Sequence, residues 1–414
     1  MEAKPLSPFA RSPVRPVRRL QPANRLNGQN RQTSVEEHHE KYMRLALQLA
    51  RRALGDTPPN PVVGAVIVNH GRIVGQGSHR QAGMPHAEVE ALQQAGAQAR
   101  GATLYVTLEP CNHTGRTPPC CDAVIDAGIR HVVIAMKDPN PITNGRGIAR
   151  LRRAGIEVIT GVLEEDAKRL NAPFAKTITT RMPWVVAKIA TSLDGKIATT
   201  TGESRWISSN ASRRLAHQLR RQADAIVVGV NTVLRDDPLL TVRLPAKMTE
   251  RQARAARPGR PIKVIVDSHL RTPLSSRCFT TASPAPAIMA ATPHAPARKR
   301  AQFKRRGIEV ITLPPRHGRV PLTRLFLELV RRYQITSILI EGGGELIASA
   351  LEERLVDRLV WSVAPIVIGG RSSPSAVGGK GIRHLAQAMR LGQMTVQHLD
   401  GDLVIDATVI YPRR

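Results

Sequence analysis

Short apolar runs alternate with amphipathic stretches of helical length along most of this chain, and no other feature restricts its fold as much. The stretch "VEEHHEKYMRLALQLARRAL" predicts a helix, because Tyr42, Leu45, Leu49 and Leu54 recur near helical spacing with acids early and arginines late. "NPVVGAVIVNHGRIVGQG" then predicts a hairpin turning at Asn69, His70 and Gly71. Helices at "PHAEVEALQQAG", "PPCCDAVIDAG" and "GIARLRRAG" interleave with strands at "ATLYVTLEP", "HVVIAM" and "IEVIT". Strands separated by helices of this length return through crossovers and build a layered α/β sheet.

Pro183 closes "NAPFAKTITTRMP" and precedes a fresh apolar strand, "WVVAKIAT", so a boundary falls there. Behind it the habit repeats, with helices at "SRRLAHQLRRQ", "LTRLFLELVRRY" and "ELIASALEERL" and strands at "AIVVGV", "IKVIVDS", "SILIEGG" and "RLVWSVAP". Asp400-Gly401 between two alternating runs predicts a closing hairpin. At 414 residues the chain exceeds what one core sustains, so two α/β domains are expected, over residues 35–180 and 181–414. Residues 1–34, rich in Pro, Arg, Asn and Gln, cannot offset ordering entropy and are expected as a disordered basic tail. An Arg-rich, acid-poor start also suits an organelle transit peptide, although no amphipathic period shows.

The formal charge of +29 is the kind of excess that accompanies phosphate-backbone binding. Much of it sits in the tail, in "RQARAARPGRP" from Arg251 and in "ARKRAQFKRR" from Ala297, and aromatics, at 3%, are too sparse for a base-stacking platform. The expectation is a general surface property that draws anionic substrates, with nucleic-acid binding as the rival. No apolar run reaches the roughly 18–20 residues that span a bilayer, and the start lacks a secretory apolar core. Four cysteines, three in one segment, do not resemble a secreted disulfide framework; a reducing, cytoplasmic setting is expected.

Those three cysteines lie in "LEPCNHTGRTPPCC". Cys111 follows a proline at a strand end, Cys120 opens a helix after two prolines, and His86 and Glu88 stand at the start of another helix. One imidazole and two thiolates suit Zn²⁺, and three protein ligands leave the fourth tetrahedral position open. Cys120 gains thiolate character from the helix dipole, whereas Cys121 turns about 100° away. Residues two apart do not share a helical face, so His86 must be the cap, still non-helical, for Glu88 to reach the same point and shuttle protons there.

"PHAEV" with "EPCNHTGRTPPC" resembles the zinc-dependent cytidine-deaminase-like superfamily, whose signature is H-x-E followed by P-C-x-x-C. Eight residues rather than two separate Cys111 from Cys120, a departure shared with the deaminase of riboflavin biosynthesis. "TPPNPVVGAVIV", "GATLYVTLEPC", "DPNPITNGRG", "SLDGKIAT", "GESRWI" and "DDPLLTVR" extend the likeness to the bifunctional riboflavin biosynthesis family, from about residue 40 to the end. The resemblance implies a cytidine-deaminase-like three-layer domain followed by a dihydrofolate-reductase-like domain. It implies zinc and NADPH as cofactors, a diaminopyrimidinone with a phosphoribosylamino group as substrate, and a homo-oligomer of unspecified count.

Residue by residue, the likeness gives Glu88 as proton shuttle, Asn60 as the base-recognising amide, and Arg116 with Thr117 for the substrate phosphate. In the second half no Gly-x-Gly-x-x-Gly opens a helix, so a Rossmann site is not supported; "EGGGE" stands instead between a strand and a helix. By resemblance Ala190, Trp206, Thr232, Asp236, Ser268, Gly343 and Gly344 contact NADPH, and Ser204, Arg220, Leu240, Arg243 and Glu341 line the substrate. Arg220 and Arg243 suit the ribose phosphate, being permanently charged and bidentate. Asp236 and Lys188 are the two candidates for acid chemistry at the sugar.

Overall fold

The structure, a computed structural model, describes residues 26–115, 118–243, 260–280 and 285–413. Residues 1–25, Arg116, Thr117 and most of the basic stretch from Arg251 therefore lie outside the described residues.

The first sheet contains β1 (Gly64–Asn69), β2 (Arg72–Ser78), β3 (Thr103–Leu108), β4 (His131–Met136) and β5 (Glu157–Thr160), in the order β2-β1-β3-β4-β5. β1 runs antiparallel to β2 and β3, while β3, β4 and β5 are parallel. Around it pack α1 (Leu26–Arg51), α2 (Ala87–Ala95), α3 (Cys120–Asp126), α4 (Arg146–Arg153) and α5 (Glu164–Leu170). Two glycines fix the layering. Gly77 pairs with Ala65, so it shares that residue's face, and Gly64, one residue earlier, faces the other way. A Cβ on Gly64 would sit 2.0 Å from the Ala46 carbonyl of α1, and one on Gly77 would sit 2.0 Å from the Ala87 carbonyl of α2. The two helices thus press on opposite faces, which makes three layers.

α1 starts nine residues before Val35, so residues 26–34, expected within the tail, are helical. Extending a formed helix costs far less than nucleating one, and Gln and Arg are good helix formers, so a polar stretch can continue a helix whose later turns are docked.

α6 (Ala172–Thr180) occupies the expected boundary. Asn171 ties its start to the first domain, accepting from the Val62 N–H at 2.8 Å and donating to the Val62 carbonyl at 3.0 Å. Lys176 ties its middle to the second, with its ammonium 2.6 and 2.8 Å from the two Asp357 oxygens.

The second sheet has nine strands, β6 (Trp184–Thr191), β7 (Ala225–Gly229), β8 (Ile262–Val266), β9 (Ala287–Ala291), β10 (Glu309–Thr312), β11 (Ser337–Glu341), β12 (Arg358–Val363), β13 (Arg390–Leu399) and β14 (Asp402–Ile410). Their order is β10-β9-β8-β7-β11-β6-β12-β14-β13; all pairings are parallel except the last two, on either side of β14. β13 and β14 form the expected hairpin, with Asp400 and Gly401 both at positive φ. Its helices are α7 (Asn210–Gln222), α8 (Val230–Asp236), α9 (Arg277–Thr280), α10 (Ala297–Arg305), α11 (Leu322–Tyr333) and α12 (Gly344–Glu352). α10 is the segment "ARKRAQFKR", which as sequence shows only charge; Phe303 alone of its residues is buried, so no apolar period betrays it.

Two candidate active sites

His86 caps α2 in extended conformation, with φ −74° and ψ 160°, and Glu88 falls in the first helical turn. Cys120 opens α3 behind Pro119, and Cys111 lies just past β3. The His86 Nδ1 is 3.1 Å from Cys120 Sγ and 3.7 Å from Cys111 Sγ, and the Cys120 backbone N–H donates to Cys111 Sγ at 3.3 Å. All three ligand atoms lie within 4.8 Å of one another. Zn–S bonds of about 2.3 Å and Zn–N bonds of about 2.0 Å put this ligand set roughly 3.5–3.8 Å apart; the 3.7 Å pair matches and the 3.1 Å pair is a few tenths of an ångström closer, so the donor set fits zinc with one position to spare after a small outward shift of Cys120.

Local electrostatics follow the same geometry. A hydrogen bond from the Cys120 thiol, with His86 close by, holds the Cys111 thiol down at about 4, and Cys120 as donor is raised. Glu88 is buried beside them, and desolvation pushes its carboxyl above the usual range. Cys121 points away, fully buried, with Sγ donating to the Pro110 carbonyl at 3.4 Å; burial pushes its thiol up to about 12.

His86, Glu88 and Cys111 open into a cavity of about 300 Å³ that Asn60, His79, His113 and Asp138 also line. His79 was not singled out by sequence. It contacts the Pro85 carbonyl through Nδ1 at 3.1 Å, which fixes Nε2 as the acceptor for the Asn60 amide at 3.0 Å. Glu109 was also missed. It is buried and accepts three backbone N–H groups, from Asp138 at 3.1 Å, Gly145 at 2.9 Å and Ile148 at 3.2 Å, tying the strand-end loop of Cys111 to the start of α4. Asp138 is pushed up to about 6 by burial. Among the described residues, His113 Nδ1 and Asn112 Oδ1 are buried without a hydrogen-bond partner.

A second cavity, about 710 Å³, lies at the carboxyl ends of the parallel strands β6, β7, β8 and β11, the edge at which open α/β sheets bind ligands. Lys188, Ala190, Ser204, Arg220, Thr232, Asp236, Leu240, Ser268, Glu341, Gly343 and Gly344 all line it. Trp206 and Arg243 do not: Trp206 is 72% exposed with the Arg213 guanidinium 4.3 Å from its ring centre, and Arg243 is exposed with its N–H donating to His217 Nδ1 at 3.1 Å. Gly342 and Gly343 have φ of +75° and +80°, and a Cβ on Gly344 would sit 2.6 Å from the Ser375 carbonyl, so only glycine allows this turn into α12.

Three charged groups of this cavity, Arg220, Glu341 and Lys188, stand together. Arg220 grips Glu341 with both arms of its fork, Nε to Oε1 at 2.7 Å and Nη2 to Oε2 at 2.6 Å, and its Nη1 donates to the Thr241 carbonyl at 2.9 Å. Lys188 is the register partner of Glu341 on the neighbouring strand, and burial lowers its ammonium. The Ser204 hydroxyl donates to Asp236 at 2.7 Å.

A family model of the cytidine and deoxycytidylate deaminase zinc-binding region matches residues 36–136, and one of the RibD C-terminal domain matches residues 183–405. The chain is 44% identical over 371 residues to riboflavin biosynthesis protein RibD of Aquifex aeolicus, covering 90% of this chain and 98% of that one. With the Escherichia coli RibD it is 40% identical over 368 residues, covering 88% and 98%. Among solved structures, Acinetobacter baumannii RibD superposes with a TM-score of 0.79 at 37% identity, covering 90% of this chain and 99% of that one. Fold and sites together define a zinc-dependent deaminase joined to an NADPH-dependent reductase. The chain belongs to the RibD family, the bifunctional deaminase and reductase of riboflavin biosynthesis. Among the described residues no helix is long and apolar enough to cross a membrane.

Proposed function

We propose that the smaller cavity deaminates the phosphorylated diaminopyrimidinone at the His86, Cys111 and Cys120 cluster, and that the larger one reduces the deaminated product. The observation that carries this reading is the convergence of one imidazole and two thiols on a point that the buried Glu88 also faces. His86, Cys111 and Cys120 would hold zinc, which when bound would lower the pKa of a water there from 15.7 to about 7. Glu88 takes a proton as water attacks the amino-bearing ring carbon and delivers it to the departing nitrogen; the C–N bond breaks, ammonia leaves and a carbonyl remains. Asn60, aimed by His79, reads the base edge. Arg116 and Thr117 are the groups for the phosphate.

The larger cavity would hold NADPH, which when bound would supply the hydride for C1′ of the ring-opened sugar. Gly343 and Gly344 offer the main chain to the cofactor phosphates, Ala190, Thr232, Asp236 and Ser268 line its path, and Trp206 stands outside that lining. Lys188 gives the proton that balances hydride addition across the C=N bond. Ser204, held by Asp236, and Leu240 face the sugar. Because Glu341 fills the fork of Arg220, this arginine fixes Glu341 against the substrate, while Arg243, like Trp206, stands outside the cavity lining.

Glu88→Gln tests the deaminase assignment. Zinc content should stay that of the parent, while ammonia release falls by about 10²–10⁴-fold. Release near the parental rate would remove Glu88 from its role.

A further inference from the structure

We infer that the reductase domain completes the deaminase site: Arg221 positions the loop that presents Asn60, and Gln334 forms part of the wall against which the substrate lies. This rests on the reading of Asn60 as a substrate contact.

The loop between α1 and β1 runs from Leu54 through Asn60, and part of its hold comes from across the domain boundary. Arg221, in the last turn of α7, places Nη2 3.0 Å from the buried Asp56 carboxylate and Nη1 3.4 Å from the Leu54 carbonyl. Between those two residues, Gly55 has φ +87°, and a Cβ there would sit 2.3 Å from the Arg221 carbonyl, so the end of α7 meets the loop backbone to backbone. Beyond Asp56 the chain turns at once: the Asn60 N–H donates to the Thr57 carbonyl at 3.0 Å, and the Asn60 amide meets His79 in the cavity. Few rotatable bonds separate the clamp from the reading group, so a shift at Asp56 is carried into the site.

The same cavity has two further walls from outside the deaminase sheet. Phe174, on α6, lines it from a helix pinned to Val62 at its start and to Asp357 at its middle. Gln334, the residue that ends α11 at φ +51°, lines it from the reductase domain and offers an amide with both donors and an acceptor. With the reacting ring carbon at the His86, Cys111 and Cys120 cluster, an amide outside that cluster would meet another polar part of the substrate.

The test uses the full chain. Arg221→Ala and Gln334→Ala are compared with the parent for ammonia release across substrate concentrations, and the same preparations are assayed for NADPH oxidation with deaminated substrate. The expected result is a deaminase KM raised about tenfold with kcat within about twofold, reductase kinetics unchanged, and partial recovery in Arg221→Lys. A merely structural role would not split KM from kcat. Deaminase KM within about twofold of the parent in both variants would overturn the inference. If Arg221→Ala also loses reductase activity and so fails to fold, the exposed Gln334→Ala decides alone. Asn60→Ala separates the two readings: unchanged deaminase KM there refutes the role of Asn60 itself, whereas a raised KM there with none in the other two refutes only the contribution of the reductase domain.

Discussion

Glu109 offers the sharpest test of how the deaminase site is held. It lies two residues before Cys111, is 3% exposed, and gathers the N–H groups of Asp138 and Gly145 on Oε2 and of Ile148 on Oε1. Glu109→Gln keeps the shape but leaves only one accepting oxygen, so at least one N–H faces an amide NH₂. A hydrogen bond to a carboxylate contributes about 1.5–3 kcal/mol, and a buried donor left unpaired costs about 1–3 kcal/mol more. Taken together the substitution should destabilise by about 3 kcal/mol, or roughly 6–12 °C in the transition of a domain this size. Calorimetry of the full chain measures it, read alongside zinc content, which should fall because the Cys111 loop loses its tie to α4. A transition within about 1 °C of the parent would refute the claim that these three bonds hold the site.

Cys121→Ala should leave zinc content and deamination unchanged, whereas Cys120→Ser should lose the metal; elemental analysis after dialysis distinguishes them, and equal losses would contradict the orientation of α3. Asp138 is raised by burial from 3.8 to about 6, so the folded chain binds that proton more tightly than the unfolded one. Stability from this group is therefore full below about pH 4 and is lost as pH rises through 6, by an amount on the order of 3 kcal/mol. Asp138→Asn should be more stable than the parent above pH 6, with the gap closing near pH 4, as read from denaturant midpoints; parallel pH profiles would sink this account.

What was legible in the sequence is what local chemistry decides. Pro85 before a helical run forces His86 into a cap, adjacent cysteines on a helix must diverge, and Asp-Gly between alternating runs closes a hairpin; all three stand in the structure. What was not legible depends on partners distant in the chain. Nothing local to Arg220 announces that Glu341, 121 residues away, fills its fork. His79 and Glu109 leave no periodic trace because each acts through hydrogen bonds to main chain or to a lone amide. α10 shows only charge because one buried phenylalanine suffices to dock it.

The end of α7 shows why the two halves depend on each other unequally. Consecutive residues on a helix diverge by about 100°, so Arg220 and Arg221 cannot serve one target. Arg220 turns into the reductase cavity and Arg221 out to the deaminase loop, and both cations sit where the helix dipole favours them. The pair that shapes the reductase cavity, Arg220 with Glu341, lies wholly within the second domain. The deaminase cavity instead draws Gln334 and the Arg221 clamp from across the boundary. Separation of the halves would therefore cost the deaminase its fit for substrate while leaving the charged floor of the reductase in place.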